Sequence, residues 1–513
     1  MSTPILSLIL EAGDDESLAV TVSTVFRDSA DSRWELVLAG SHEPPDFQTL
    51  SGSAPAGRLR WVKTHHAEST GDARAVALQE ALEVSTGMYV GVLDAGDIVE
   101  PGVLSAVVDH LESRPLVDVL YTDEQWPGTG AEGIFTKPNW NPEYLLGLSY
   151  LGRLCFVRRE LLLSCGGFRT GTAGVEEWDA HLRVTDAQAV VDHIPAVGLT
   201  RSAAPVVTAD STRAAVDIVK AHFRRIEVEA QVEPAELPGS VRSWRAIKGN
   251  PLVSLIIPTI GGRRLVRGED LRLVTNCVQS LLERTTYDNW ELVLVTSKDT
   301  PQAAVDEVAA LAGARLTVAP VDGAFNFSRS INEGARVARG GLLLLLNDDT
   351  EVIEPRWLER MVGVAQDPTI GAVGAKLLFE DSRIQHLGVV HNDIWQPAHA
   401  FEFEADDGAH FGMGTLDLDY LAVTGACLLT PSDVFAELGG LTVDLPLNFN
   451  DVDYCFKVIR SGRRIVCTPF AKLHHYESST REAQVEPSEM AHLRRHWRSI
   501  AYEDPFTNLR EVR

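Results

Sequence analysis

The pentapeptide Trp34-Glu35-Leu36-Val37-Leu38 returns unchanged as Trp290-Glu291-Leu292-Val293-Leu294, 256 residues further along the chain. Shorter matches keep the same order: Glu100-Pro101 with Glu354-Pro355, Gly166-Gly167 with Gly439-Gly440, and Pro195 with Pro469. A few insertions in one copy account for the differing offsets. A period this long excludes a solenoid, whose repeats run to roughly 20–50 residues, and predicts two tandem copies of one domain fold. At 513 residues the chain has room for both, since a domain takes about 100–200 residues.

Each copy alternates short apolar strands with helical segments, which predicts α/β domains on a mostly parallel sheet. In copy two, Val253 to Ile257 runs apolar up to Pro258, Glu291 to Val295 follows a helical segment, and Leu342 to Leu346 is continuously apolar. Strands buried on both faces read this way. Thr430, Pro431 and Asp433 read as a helix start, and Gly439-Gly440 as its end. Val216, Val219, Phe223 and Ile226 recur at helical spacing and close copy one. Met490, Leu493, Trp497 and Ile500 form a second stripe, flanked by Arg494, Arg495 and Arg498. The division expected is residues 1–230, a linker 231–250 marked by Pro234, Pro238 and Gly239, residues 251–480, and a C-terminal helical extension 481–513.

Composition narrows the function. Hydrophobic residues at 45% and charged residues at 23% are globular values. A net formal charge of −26 repels nucleic-acid backbones and anionic lipids over most of the surface, so no nucleic-acid partner is expected. An anionic ligand needs a local metal or basic patch. Six cysteines without a C-x-x-C pair indicate neither a zinc ribbon nor a redox dithiol. No segment nears the roughly 20 apolar residues of a membrane helix, and no basic residue precedes the apolar stretch Ile5 to Leu10, so the expected location is the cytoplasm. Packing is the default for the arginine-flanked C-terminal stripe; contact with the inner membrane face or with another copy is the alternative. Gly128 to Gly133 matches G-x-G-x-x-G, but Pro127, Pro138 and Pro142 around it leave no helix to receive a pyrophosphate, and it reads as a loop.

Open parallel sheets place ligands beyond the carboxyl ends of their strands, so polar residues just after an apolar strand come first. Asn347-Asp348-Asp349 follows Leu342 to Leu346 directly. Carboxylates there suit Mg²⁺ or Mn²⁺, which take one or two carboxylates with phosphate oxygens and water; an Asp-rich turn is the bland alternative. Asn450-Asp451-Val452-Asp453 opens a helical stretch, where either aspartate is also a fit cap. His474-His475 follows the short strand Arg464 to Thr468.

That order of strand acid, helix acid and strand histidine resembles the inverting family 2 glycosyltransferases of GT-A type, particularly tandem-domain bacterial members of the rhamnosyl- and galactofuranosyltransferase-like kind. The resemblance rests on Ser254 to Thr259, Phe325 to Ser328 with Asn332, Leu346 to Val352, Val373 to Leu377, Ile384 to Val390, Val423 to Cys427, Asn450 to Asp453 and His474 to Ser478. It covers nearly all of residues 251–480 and extends more weakly over copy one. It implies two tandem GT-A, Rossmann-like domains with a C-terminal helical tail. It also implies a divalent cation, Mn²⁺ or Mg²⁺, held by Asp349 with His475, and a general base at Asp451. Thr259, Asn332, Asn347 and Asp348 would contact the nucleotide-diphosphate sugar donor. Gly425, Asn450 and Asp453 would line the pocket for the sugar and its glycan or lipid-linked glycan acceptor. Many relatives carry an acid after the second strand, but here Thr296, Ser297 and Lys298 follow Val295, which leaves the nucleoside unspecified.

Copy one keeps little of this set. Asp349 aligns with Ala95 or Gly96 according to a one-residue gap, and His475 aligns with Arg201. Glu177 stands where copy two has Asp451, and Asp94 and Asp97 flank the strand end. The expectation is a vestigial site in copy one and a metal-dependent, inverting sugar transfer in copy two. The rival expectations are a bifunctional transferase, and an inactive carbohydrate-binding scaffold that uses the same fold, alone or as a homo-oligomer.

Overall fold

The computed structural model of the protein describes residues 4–27, 33–64, 72–126, 133–204, 206–391, 396–407, 410–476, 485, 487–501 and 504. The chain forms two compact units: Met1–Trp140 with Leu145–Ser243, and Trp244–Glu511 with the short segment Asn141–Tyr144. The stretch expected as a linker is ordered into a strand pair, Ala230–Pro234 with Val241–Arg245. Buried Val232 and Val241 hold that pair, and the Pro238-Gly239 punctuation becomes its turn.

In unit 1 the strands β1 (Leu6–Glu11), β2 (Trp34–Gly40), β3 (Leu59–Lys63), β4 (Tyr89–Val92), β5 (Ile98–Val99), β6 (Val119–Gln125), β7 (Phe156–Arg158) and β8 (Val191–Thr200) lie in the order β3-β2-β1-β4-β7-β6-β8-β5. Unit 2 repeats that order. Its strands β9 (Val253–Thr259), β10 (Trp290–Ser297), β11 (Leu316–Val321), β12 (Leu342–Leu346), β13 (Thr350–Val352), β14 (Ile370–Leu378), β15 (Cys427–Pro431) and β16 (Arg464–His475) run β11-β10-β9-β12-β15-β14-β16-β13. Both units are α/β, as expected, but the sheets are mixed. The first four strands of each are parallel, and β7 and β15 lie antiparallel to both neighbours. Corresponding helices sit at matching places: α1 (Ala73–Val84) with α3 (Phe327–Val337), and α2 (Glu176–Asp186) with α4 (Asn450–Arg460). A last helix, α5 (Pro487–Ala501), buries Leu493 and Trp497 and leaves Arg494, Arg495 and Arg498 exposed.

The repeated pentapeptide is β2 in one unit and β10 in the other, with Trp34 and Trp290 opposite Leu6 and Val253. The glutamate in it is buried in both, a costly place for a carboxylate unless it is hydrogen-bonded. Ser7 Oγ donates to Glu35 at 2.6 Å and Ser254 Oγ to Glu291 at 2.7 Å. The same carboxylates accept backbone N–H bonds from Thr86 and Arg339, each at 2.7 Å. The repeat therefore preserves a buried polar knot that ties the first, second and fourth strands together.

Unit 2 centres on Leu255, Leu292, Leu344 and Leu429, fully buried on β9, β10, β12 and β15. A cavity at the middle of such a sheet has no loop to collapse into it. Leu344→Ala should cost about 2–5 kcal/mol of stability, read as a fall in the denaturation midpoint of the full chain. The helix start expected at Thr430 falls elsewhere: Thr430 is the fourth residue of β15, its hydroxyl bonded to Gly371 O and Tyr454 Oη, and the helix is Ser432–Glu437. Gly439 and Gly440, both at positive φ, do end that helix. Residues 128–132 of the set-aside glycine motif lie outside the described residues.

Candidate active site

The chain runs outward from β9 to β10 and β11, then crosses back past β9 to β12. That reversal makes a switch point, and ligand clefts open beyond the carboxyl ends of the two strands on either side of it. A cleft of about 300 Å³ lies there. Thr259 ends β9 and lines it; Asn347, Asp348 and Asp349 leave β12 and line it; Gly425, Asn450 and Asp451 complete the opposite wall. Seven residues expected from sequence thus meet in one cleft, although they come from positions up to 192 residues apart.

The carboxylates are held in distinct ways. Thr259 Oγ1 donates to Asp348 Oδ2 at 2.5 Å. Burial, and then the neighbouring Asp349 charge, pushes the Asp348 carboxyl up to about 7. Burial also opposes the charge on Asp349, yet the His475 imidazole beside it holds that carboxyl below its ordinary value. Asp451 opens α4, with Oδ2 accepting the Gly425 N–H at 2.8 Å and Oδ1 the Val452 N–H at 2.8 Å. Its carboxylate is fixed by backbone, facing the cleft at a helix start where negative charge is favoured.

The residues fit a divalent cation on one observation. Asp349 Oδ1 is buried and accepts no well-formed hydrogen bond, and His475 Nε2 lies 3.1 Å from it. Gln385 Oε1 sits 2.7 Å from His475 Nδ1, so that nitrogen carries a hydrogen and Nε2 is the ring nitrogen turned toward Asn347 and Asp349. Two electron-rich atoms facing each other in a buried site call for a positive centre between them, either a second imidazole proton or a metal. Among the described residues no group of three or more His, Cys, Asp or Glu side chains forms a ready metal cage. Such a site is completed by ligand oxygens and water, the usual pattern for Mg²⁺.

Asn332 and Asp453 are placed elsewhere. Both ends of the Asn332 amide bond the backbone of Leu441, at 2.8 and 2.9 Å, which fastens α3 to the chain before α4. Asp453 is buried two residues further along the same helix, roughly half a turn around from Asp451, and accepts from Thr442, Trp497 and Lys457. Neither lines the cleft, and each sets the position of something that does. His386 is a further support: deep burial keeps its ring neutral, and Nε2 accepts the N–H of Gly388 and of Thr424 on the cleft wall, each at 3.2 Å. Leu447 and Asn448, on the rim, escaped the sequence reading, as did Glu489 of α5, which accepts from Asn448 N and Nδ2 at 2.9 and 2.7 Å. A lone glutamate on a solvated helix carries no signal of that contact.

Residues 251–498, within unit 2, match the family described as Glycosyltransferase like family 2. The chain is 32% identical over 535 aligned residues to the Sinorhizobium fredii protein y4gI, covering 98% of this chain and 57% of that one. It is 33% identical over 504 residues to the O-antigen biosynthesis protein RfbC of Myxococcus xanthus, covering 94% of this chain and 38% of that protein. The chain therefore spans little more than half of one of these relatives and under two fifths of the other. Among solved structures, a Pyrobaculum calidifontis mannosyltransferase in complex with GDP-Man and Mn²⁺ aligns at 17% identity and TM-score 0.33, over 48% of this chain and 61% of that one. GalNAc-T7 with UDP, GalNAc and Mn²⁺ aligns at 15% and 0.39, over 49% and 50%. Among the described residues no helix is long and apolar enough to cross a membrane.

Proposed function

We propose that unit 2 is an inverting, metal-dependent glycosyltransferase that moves a sugar from a nucleotide diphosphate to a hydroxyl of a polysaccharide or lipid-linked glycan precursor. The observation that carries this reading is the shared cleft, a space of about 300 Å³ beyond the β9/β12 switch point that both Asp349 and Asp451 line. The family match over residues 251–498 supports sugar transfer, and the name of the Myxococcus xanthus relative supports surface polysaccharide as the product class.

Asp451 acts as general base. Its Oδ atoms are held by two backbone N–H groups, so the carboxylate keeps its aim while it takes the proton of the attacking acceptor hydroxyl. The displacement is in line at the anomeric carbon, inverts its configuration and needs no covalent enzyme intermediate. Asp349 and His475 would hold the divalent cation, with Gln385 fixing the imidazole. The cation supplies charge neutralisation for the departing diphosphate. Thr259, Asn347 and Asp348 frame the donor side, and Gly425 and Asn450 the acceptor side. The acceptor and donor are both cytoplasmic in this reading, with α5 available for contact at the inner membrane face.

The deciding experiment screens uridine, guanosine and deoxythymidine diphosphates with Mn²⁺ for thermal stabilisation. A nucleotide at 100 times its dissociation constant adds about 2.7 kcal/mol to the folded state. The matching nucleotide should stabilise the chain only with Mn²⁺ present, and Asp349→Ala should erase the effect. Stabilisation by none of them, or equal stabilisation in chelator, counts against a nucleotide–metal cleft.

A further inference from the structure

The strand registers align the two units residue by residue. Tyr89 pairs with Leu6 as Leu342 pairs with Val253, and Ile98 pairs with Thr200 as Glu351 pairs with His474. This closes the one-residue ambiguity at the strand end: Asp94 falls on Asn347 and Gly96 on Asp349. On the next strand Gly91 pairs with Phe156 as Leu344 pairs with Leu429, which puts Gly152 on Gly425 and Arg153 on the cleft-lining Ala426. The turns Thr86-Gly87 and Arg339-Gly340, bonded alike to Glu35 and Ser7 and to Glu291 and Ser254, put Arg74 on the cleft-lining Phe327. Arg201 falls on His475. Three positions around the unit 2 site, an aromatic, an alanine and the imidazole, are therefore all arginine in unit 1.

Those arginines converge. Arg74 reaches Asp94 at 2.7 Å and Glu177 at 2.9 Å, and Arg153 reaches Asp94 at 2.9 Å and also pairs with Glu177. Arg201 approaches Asp94 at 3.4 Å and Glu124 at 3.7 Å. Glu177, standing where Asp451 is, thus has its charge spent on two guanidinium groups. Burial opposes that charge, yet Arg153 and Arg74 hold its carboxyl down to about 2. Gly96 has φ 91°, and a Cβ there would lie 2.9 Å from Ser202 Cβ, so an aspartate at this position is opposed by both backbone and packing.

We propose that Arg74, Arg153 and Arg201 are built-in counter-ions occupying the place where unit 2 leaves room for a cation and donor, so that unit 1 carries a self-neutralised, metal-free cleft and the chain transfers sugar at a single site. The comparison rests on the reading of Asp349 and Asp451 given above, but the arginine cluster stands on its own contacts. Its fixed positive charges hold Asp94 and Glu177 without any exchangeable ion, and neither carboxylate remains available as a base.

Two measurements test this on the full chain. Mn²⁺ alone, titrated at physiological salt and followed by loss of the free-ion paramagnetic signal, should fill one saturable site per chain, and Asp349→Asn should remove it. Two sites in the unmodified chain, or a site that survives Asp349→Asn and disappears in Asp94→Asn, overturns the proposal. No saturable site at all sinks the metal reading of unit 2 while supporting the metal-free reading of unit 1. In product analysis with the active donor, Asp451→Asn should lower every linkage in the same proportion. A linkage formed at the unmodified rate by Asp451→Asn would mean that unit 1 transfers sugar, and the proposal fails.

Discussion

Asp451→Asn is expected to lower the rate of sugar transfer by about 10²–10⁴, the range that a positioned general base contributes, equivalent to roughly 3–5 kcal/mol in the barrier. The substitution is nearly isosteric. An asparagine oxygen can still accept the Gly425 N–H that Oδ2 accepts at 2.8 Å, so α4 and the cleft wall should stay in place. What is lost is the capacity to take a proton, because an amide is not basic. The loss should therefore appear in kcat, with the donor KM and the thermal midpoint close to those of the unmodified protein. Steady-state kinetics and a melting curve on the same preparation check it. Activity within tenfold of the unmodified chain would falsify the role of Asp451 as base.

Much of this architecture is legible in the amino-acid order because the repeat is written into buried strands. Trp34-Glu35 and Trp290-Glu291 recur since each glutamate closes the same knot with the serine opposite it on the adjacent strand and with a backbone turn, and few other residues could do so. Asn347 to Asp349 stand out because carboxylates directly after five leucines have no role in a core. Other features depend on contacts between distant segments and leave no local pattern. Asp453 looks like a second acid beside Asp451, but roughly half a turn of helix carries it inward to Trp497 and Lys457. Asn332 sits in a motif near the cleft and spends both ends of its amide on Leu441. The arginine cluster of unit 1 is invisible along the chain, since Arg74, Arg153 and Arg201 are scattered over 128 positions and only the strand registers bring them together. A polar residue's chemistry can be read from its type, but its partners are set by the fold.

Removing divalent cations should abolish transfer, by more than about 10²-fold, and adding Mn²⁺ or Mg²⁺ back should restore it, for an electrostatic reason visible in the cleft wall. Asp348, Asp349 and Asp451 line it and, among the described residues, no lysine or arginine does, in a chain whose formal net charge is already −26. A diphosphate entering that space meets carboxylates at close range, and at 4 Å two like charges repel by about 4 kcal/mol at the effective dielectric of a protein surface. Without a counter-charge the donor neither binds nor departs as diphosphate after transfer. Unit 1 meets its own strand-end carboxylate Asp94 with three fixed arginines; unit 2 has an imidazole nitrogen 3.1 Å from the buried Asp349 Oδ1. The Asp349→Ala chain should accordingly stay inactive when millimolar Mn²⁺ is supplied, whereas the unmodified chain treated with chelator recovers. Full activity in chelator would show that the cleft neutralises its donor by some other group, and the assignment of Asp349 and His475 as cation ligands would fall with it.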